Sequence, residues 1–132
     1  MSDLNILFED DDIIALNKPS GILVHPSWIA PRGTPNLASM LKEYFEGGSP
    51  YTIQRLDRPT SGVILFGKNK EIAQKMNLIF AEREVEKTYL CMVRGYTPEA
   101  DVIDYALKEE LDKIADKHAN QDKAPQEAVS SY

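Results

Sequence analysis

The sequence predicts an α+β fold, with short strands interspersed with two amphipathic helices. Three observations lead there. Leu37, Met40, Leu41, Tyr44 and Phe45 recur at the spacing of one helical face, and Ile72, Met76, Ile79 and Phe80 form a second stripe. Between and before these stretches lie short runs rich in Ile, Leu and Val, bounded by Asp, Pro and Gly. A chain of 132 residues is enough for a single domain, residues 1–132, built around one core.

In order along the chain, "NILFED" and "IIALNKP" read as two strands joined by a tight acidic turn at Asp10, Asp11 and Asp12. "PSG" at 19–21 is turn chemistry, "ILVHP" resumes extended chain, and residues 26–35, with three prolines and a glycine, form a loop. "TPNLASMLKEYFEGG" is the clearest helix, with Thr34 expected as N-cap, Pro35 at the first helical position and Gly47 and Gly48 at its end. A second helix is expected from about Lys70 to Glu82, capped by Asn69. "YTIQRL" and "GVILFG" are expected as strands flanking a turn at Asp57. "VEKTYLCMVRGY" has strand-forming composition, and alternation would place Val85, Lys87, Tyr89, Cys91 and Val93 on one face. "ALKEELDKIADKHANQDKAP" is charged and poor in large apolar groups, fitting a short helix and then a loop, and "EAVSSY" reads as a strand beginning.

Composition narrows the class. Hydrophobic content of 42% and charged content of 27% are those of a soluble globular protein. No run approaches the roughly 18 apolar residues of a membrane span, and the acidic start lacks an apolar signal core. The single cysteine, Cys91, excludes an intramolecular disulfide and a cysteine zinc cage; it is expected as a small buried hydrophobe. A cytoplasmic protein fits these features. The net charge is −6, yet basic residues outnumber acidic ones between Lys18 and Arg94 while both ends are acidic. That distribution permits an anionic ligand in the middle of the chain without demanding one.

The chemistry concentrates in "TIQRLDRPTSGVILFGKN", where Asp57 stands between Arg55 and Arg58. Nearby guanidinium groups favour an ionised carboxylate, which can act as nucleophile or base. The arginines could instead grip an anionic substrate, or the cluster could be a weak surface ion pair. The spacing alone leaves all three open.

The longer string "RLDRPTSGVILFGKN" resembles the signature of the RluA-type pseudouridine synthases, which isomerise uridine in RNA. "LNKPSGILVHP" resembles a motif ahead of that signature and "EKTYLCMVRG" one behind it; "HPSW" and the segment from "DYALKEELDK" onward resemble a subgroup acting on tRNA. The resemblance covers nearly the whole chain. It implies a mixed, mainly antiparallel sheet with helices on one side, tRNA as partner, no metal and no cofactor. It implies that Asp57 is the essential aspartate, that Tyr89 stacks on the target uracil and serves in removing its ring proton, and that Arg55 fills the gap left by the flipped base. The subgroup implies a uridine where the T stem meets the acceptor stem.

Other residues stay divided between roles. Arg58, held extended by Pro59, would orient the loop or touch phosphate. Lys87 would touch RNA or form an exposed rim. Lys18 and His25 are expected to pack and bond around the turn; Trp28 would meet RNA or fold back on the surface; His118 would be solvated. Gln54 stands where the family usually has histidine. The family also continues past this length with a basic residue that pairs with the aspartate, so the chain looks like the front part of a synthase. That leaves a catalytically silent RNA-binding protein as the alternative, and an unpaired sheet edge as a site of possible self-association.

Overall fold

The computed structural model describes residues 4–108 and 124–132, in two compact units, Met1–Lys87 and Thr88–Tyr132. In the first, the strands are β1 (Ile6–Glu9), β2 (Ile13–Lys18), β3 (Tyr51–Thr52) and β4 (Gly62–Gly67), and the helices are α1 (Leu37–Tyr44) and α2 (Lys70–Ala81). The strands form one sheet in the order β1-β2-β4-β3 with every neighbour antiparallel. The acidic turn closes as expected: the Asp10 carboxylate accepts from the Asp12 and Ile13 amides, and the Asp10 amide donates to the Ile13 carbonyl. Register follows from alternation. Ile14 stands opposite Phe66, Leu16 opposite Ile64 and Lys18 opposite Gly62, so one face of the central pair is apolar until its last position.

That face is the core. Ile14, Leu16, Ile64 and Phe66 pack with Val24 and with Leu37 and Leu41 of α1, all nearly free of solvent. Helix α2 packs close to the end of β4. Gly67 has the opposite parity from Phe66, and a Cβ there would lie 3.2 Å from the Ala73 Cβ, so Gly67 lets α2 approach β4 closely. The stripe of α2 is half-buried, with Ala73 its buried residue.

Helix α2 begins at Asn69 as anticipated, its side chain accepting from the Ile72 amide. Helix α1 does not begin at Thr34. Asn36 is its cap, with extended φ and ψ of −147° and 149° and its side chain accepting from the Ser39 amide at 2.9 Å. Thr34 instead turns its hydroxyl back onto the Pro31 carbonyl at 2.7 Å, which places Pro35 ahead of the helix rather than inside it.

In the second unit, β5 (Val102–Asp104) and β6 (Val129–Ser131) pair antiparallel. β6 is the strand read in the terminal residues. The strand expected over 85–93 does not form: these residues carry no ladder and Tyr89, Leu90, Met92 and Val93 are exposed. Strand propensity describes a fit to a pleated, half-buried surface, and among the described residues no segment pairs with this one. Cys91 is accordingly exposed, not buried. Most of the expected helix and loop, including His118, lies outside the described residues.

Asn36→Ala is expected to cost about 0.5–2 kcal/mol, and Thr34→Ala measurably less. Urea unfolding of the two variants checks this; equal losses would return the cap to Thr34.

The Asp57 loop as candidate active site

The loop between β3 and β4 carries Asp57, and its backbone is held by residues from the end of β2. Residues 57–60 form a closed turn, with the Thr60 amide donating to the Asp57 carbonyl at 3.0 Å. The Arg58 carbonyl accepts from the Gly21 amide at 2.7 Å and from the Lys18 ammonium at 3.1 Å. The Pro59 carbonyl accepts from the Ser20 hydroxyl at 2.7 Å, and the Thr60 carbonyl from Lys18 Nζ at 2.6 Å. Every carbonyl of the turn is engaged. Lys18 adds a third bond, to the Pro19 carbonyl at 3.2 Å, and the residue is fully buried. Gly21, at φ 90°, and Gly62, at φ 127°, adopt backbone conformations that favour glycine, which lets both ends of this crossing turn sharply.

A buried ammonium is costly unless its protons find partners. Three carbonyls supply them. Burial still pushes the Lys18 pKa down, and the Asp57 carboxylate nearby pushes it back up. Lys18 thus bonds around the turn, as expected, and also places a positive charge within electrostatic reach of Asp57.

The arginines are arranged otherwise than their spacing suggested. Neither pairs with Asp57; ion pairs form instead elsewhere, Glu9 with Lys68 and Glu71 with Lys75 among them. Arg58 donates through Nε to the Gly21 carbonyl at 2.9 Å, so its guanidinium braces the loop. Arg55 and the Asp57 side chain are exposed. Gln54 donates to the Val63 carbonyl at 3.3 Å. His25 Nε2 lies 3.1 Å from the Thr52 hydroxyl; burial first, and the Arg55 guanidinium second, hold its pKa below the ordinary value. Sequence reasoning missed the bracing roles of Ser20 and Gly21, although "PSG" had marked their turn. Lys87 is exposed at the end of the first unit, and Tyr89, 59% exposed, belongs to the second.

Among the described residues no group of three or more His, Cys, Asp or Glu is placed to hold a metal ion. Nor is any helix among them long and apolar enough to cross a membrane.

A family model described as RNA pseudouridylate synthase matches residues 12–132. The chain is 48% identical over 129 residues to the tRNA pseudouridine synthase C of Vibrio cholerae, covering 98% of this chain and 52% of that protein. It is 50% identical over 129 residues to the protein of the same name from Pasteurella multocida, covering 98% and 53%. The chain thus spans about half the length of these curated relatives. Among solved structures, human RNA pseudouridylate synthase domain containing 1 superposes with a TM-score of 0.72 at 22% identity, over 98% of this chain and 51% of that one. It shows the shared fold.

Two outcomes follow from the loop. Lys18→Met keeps the apolar stem but orphans the Pro19 and Thr60 carbonyls, at about 1–3 kcal/mol each, offset in part by removing a desolvated charge. A net loss of about 2 kcal/mol is expected, with the Gly21 and Thr60 amides exchanging at least about tenfold faster; unchanged exchange would show that the ammonium does not hold the turn. For His25, the unfolded chain binds the proton more readily than the fold. Its contribution is fully present above 6.5, the unfolded value, and declines as pH falls below it. The urea midpoint is expected to fall between pH about 7 and pH about 5.5, and less steeply in His25→Gln.

Proposed function

Because the chain belongs to the RNA pseudouridylate synthase family, we propose that it carries the essential aspartate of an enzyme that isomerises a uridine of tRNA to pseudouridine. The observation that carries this reading is the exposed Asp57 carboxylate on a turn whose backbone carbonyls are all engaged. The relatives named tRNA pseudouridine synthase C support tRNA as the RNA. The finer proposal is a uridine where the T stem meets the acceptor stem.

In this reading the target nucleotide leaves the stack, at a cost of a few kcal/mol. Asp57 attacks or deprotonates the nucleoside so that uracil detaches, turns and rejoins through carbon. Lys18 holds the turn that presents this carboxylate through the Arg58 and Thr60 carbonyls. Arg55, exposed and without an ion-pair partner among the described residues, is free to enter the gap left by the base. Tyr89 supplies a stacking platform worth about 1–3 kcal/mol, and its hydroxyl serves in removal of the ring proton. Lys87 is proposed to meet phosphate. Arg58 contributes mainly through the loop it braces.

The test uses protein carrying these residues with an unmodified tRNA transcript, read by mass spectrometry of the digest. Asp57→Asn is expected to abolish pseudouridine formation while leaving folding and tRNA binding largely intact, since the amide is nearly isosteric. Turnover near the parent rate would remove Asp57 from the reaction. Tyr89→Phe is expected to bind as the parent does and lose most turnover, whereas Tyr89→Ala should lose binding as well; full activity in the Phe variant would exclude a role for the hydroxyl.

A further inference from the structure

We propose that the loop of residues 26–35 is a second RNA-contact surface, on which Trp28 stacks an exposed nucleobase and Arg32 meets phosphate. The inference rests on the synthase reading and deepens it, since it concerns how the RNA is held outside the Asp57 loop.

Trp28 is fully exposed, at 105% of its reference surface, so it does not fold back onto the protein. Tryptophan is highly buried on average, and an indole left in water calls for an occupant. Beside it Ile29 is 67% exposed. The loop that presents them is braced. The Ala30 amide donates to the Ser27 carbonyl and the Ile29 amide to the Ser27 hydroxyl, both at 3.3 Å. The Thr34 amide and hydroxyl both donate to the Pro31 carbonyl. Pro26, Pro31 and Pro35 restrict the chain further. Its ends are tied together where Leu37 and Ala38 donate to the Leu23 and Val24 carbonyls at 2.9 and 3.0 Å. A compact loop with closed ends limits the backbone freedom lost when a base stacks on the side chain it presents.

Charge and position favour RNA as the occupant. Arg32 is the only charged residue of the loop, in a chain whose net charge is −6. A flat aromatic face with a guanidinium close in sequence suits a ligand that offers π-faces and phosphates together. The loop also starts at the candidate site, because His25, immediately before it, bonds to Thr52 and feels the Arg55 guanidinium. An RNA whose target base lies over Asp57 would have neighbouring nucleotides within reach of this side.

Trp28 is the only tryptophan of the chain, so intrinsic fluorescence reports this position alone. In the Asp57→Asn chain without RNA, acrylamide is expected to quench Trp28 freely. An unmodified tRNA transcript should quench the emission and shield it from acrylamide. By filter binding, Trp28→Ala should weaken tRNA affinity between about 5-fold and about 100-fold, and Trp28→Phe by less because a ring remains. Arg32→Gln should lower the slope of log affinity against log salt by roughly 0.7–0.9. Shielding from acrylamide before RNA is added would show that protein covers the indole and would overturn the proposal. Bound tRNA with unchanged emission, or parent affinity in Trp28→Ala, would overturn it too. If that variant binds tRNA as the parent does while protein carrying the chain isomerises tRNA, this surface fails and the synthase reading stands. If tRNA is neither bound nor isomerised, the synthase reading fails and takes the surface with it.

Discussion

A single ammonium group organises the end of this sheet. Lys18 occupies the last inward position of β2, on the face where Ile14 and Leu16 are buried in the core. Continuing that alternation with another aliphatic residue would be cheaper for burial alone. A charge there is tolerated only where carbonyls converge on it, and the carbonyls available are those of Pro19 and of the returning Asp57 loop. The requirement works in both directions: the loop satisfies the lysine, and the lysine fixes the loop. Because Lys18 is in register with Gly62, where β4 begins, the β2–β4 ladder determines where that crossing occurs.

This arrangement separates the roles that the sequence had gathered around one acid. Arg58 turns away from Asp57 to brace Gly21, and the proline and threonine that follow offer their carbonyls inward. Neither guanidinium forms an ion pair with Asp57, and the nearby carboxylate acts instead on Lys18, whose pKa it raises against the effect of burial. Arg55 is exposed. A reactive side chain on a loop is commonly positioned by a rigid scaffold, and here the scaffold is made of main-chain bonds that leave the carboxylate itself to solvent.

What could be read in the sequence was what depends on local periodicity. The acidic turn, β1, β2, β4 and α2 with its Asn69 cap follow from alternation, helical spacing and capping chemistry. The order of motifs around Asp57 was legible through the resemblance to the RluA-type synthases, not through periodicity. What could not be read depends on partners distant in sequence. Lys18 reaches Thr60 across 42 residues and Arg58 across 40, and no local pattern records such a contact. Thr34 and Asn36 are both acceptable caps, and the choice between them was decided by the Pro31 carbonyl, which takes the threonine hydroxyl. The segment around Tyr89 has strand composition, but a strand exists only with a neighbour. The close approach of α2 to β4 turned on Gly67, whose missing side chain is a packing signal only once Ala73 is seen against it.

The sheet also bears on how the acidic residues near the N-terminus stand to the RNA ligand proposed above. Glu9 and the Asp10–Asp12 turn lie at the end of the sheet where β1 meets β2, with Glu9 engaged by Lys68 and by the Tyr44 hydroxyl. Lys18 and the Asp57 loop lie at the opposite end of β2. At about 3.4 Å per residue, the six residues of β2 separate the two ends by roughly 17 Å. The screening length at physiological ionic strength is about 8 Å, so the acidic turn contributes little repulsion where the loop stands. Glu9 is further compensated by its own ion pair. Within the first unit, the groups nearest the Asp57 loop are therefore Lys18, Arg55 and Arg58 rather than the acidic turn. The charge of the acidic turn says little about a ligand at the Asp57 loop when a strand's length separates the two.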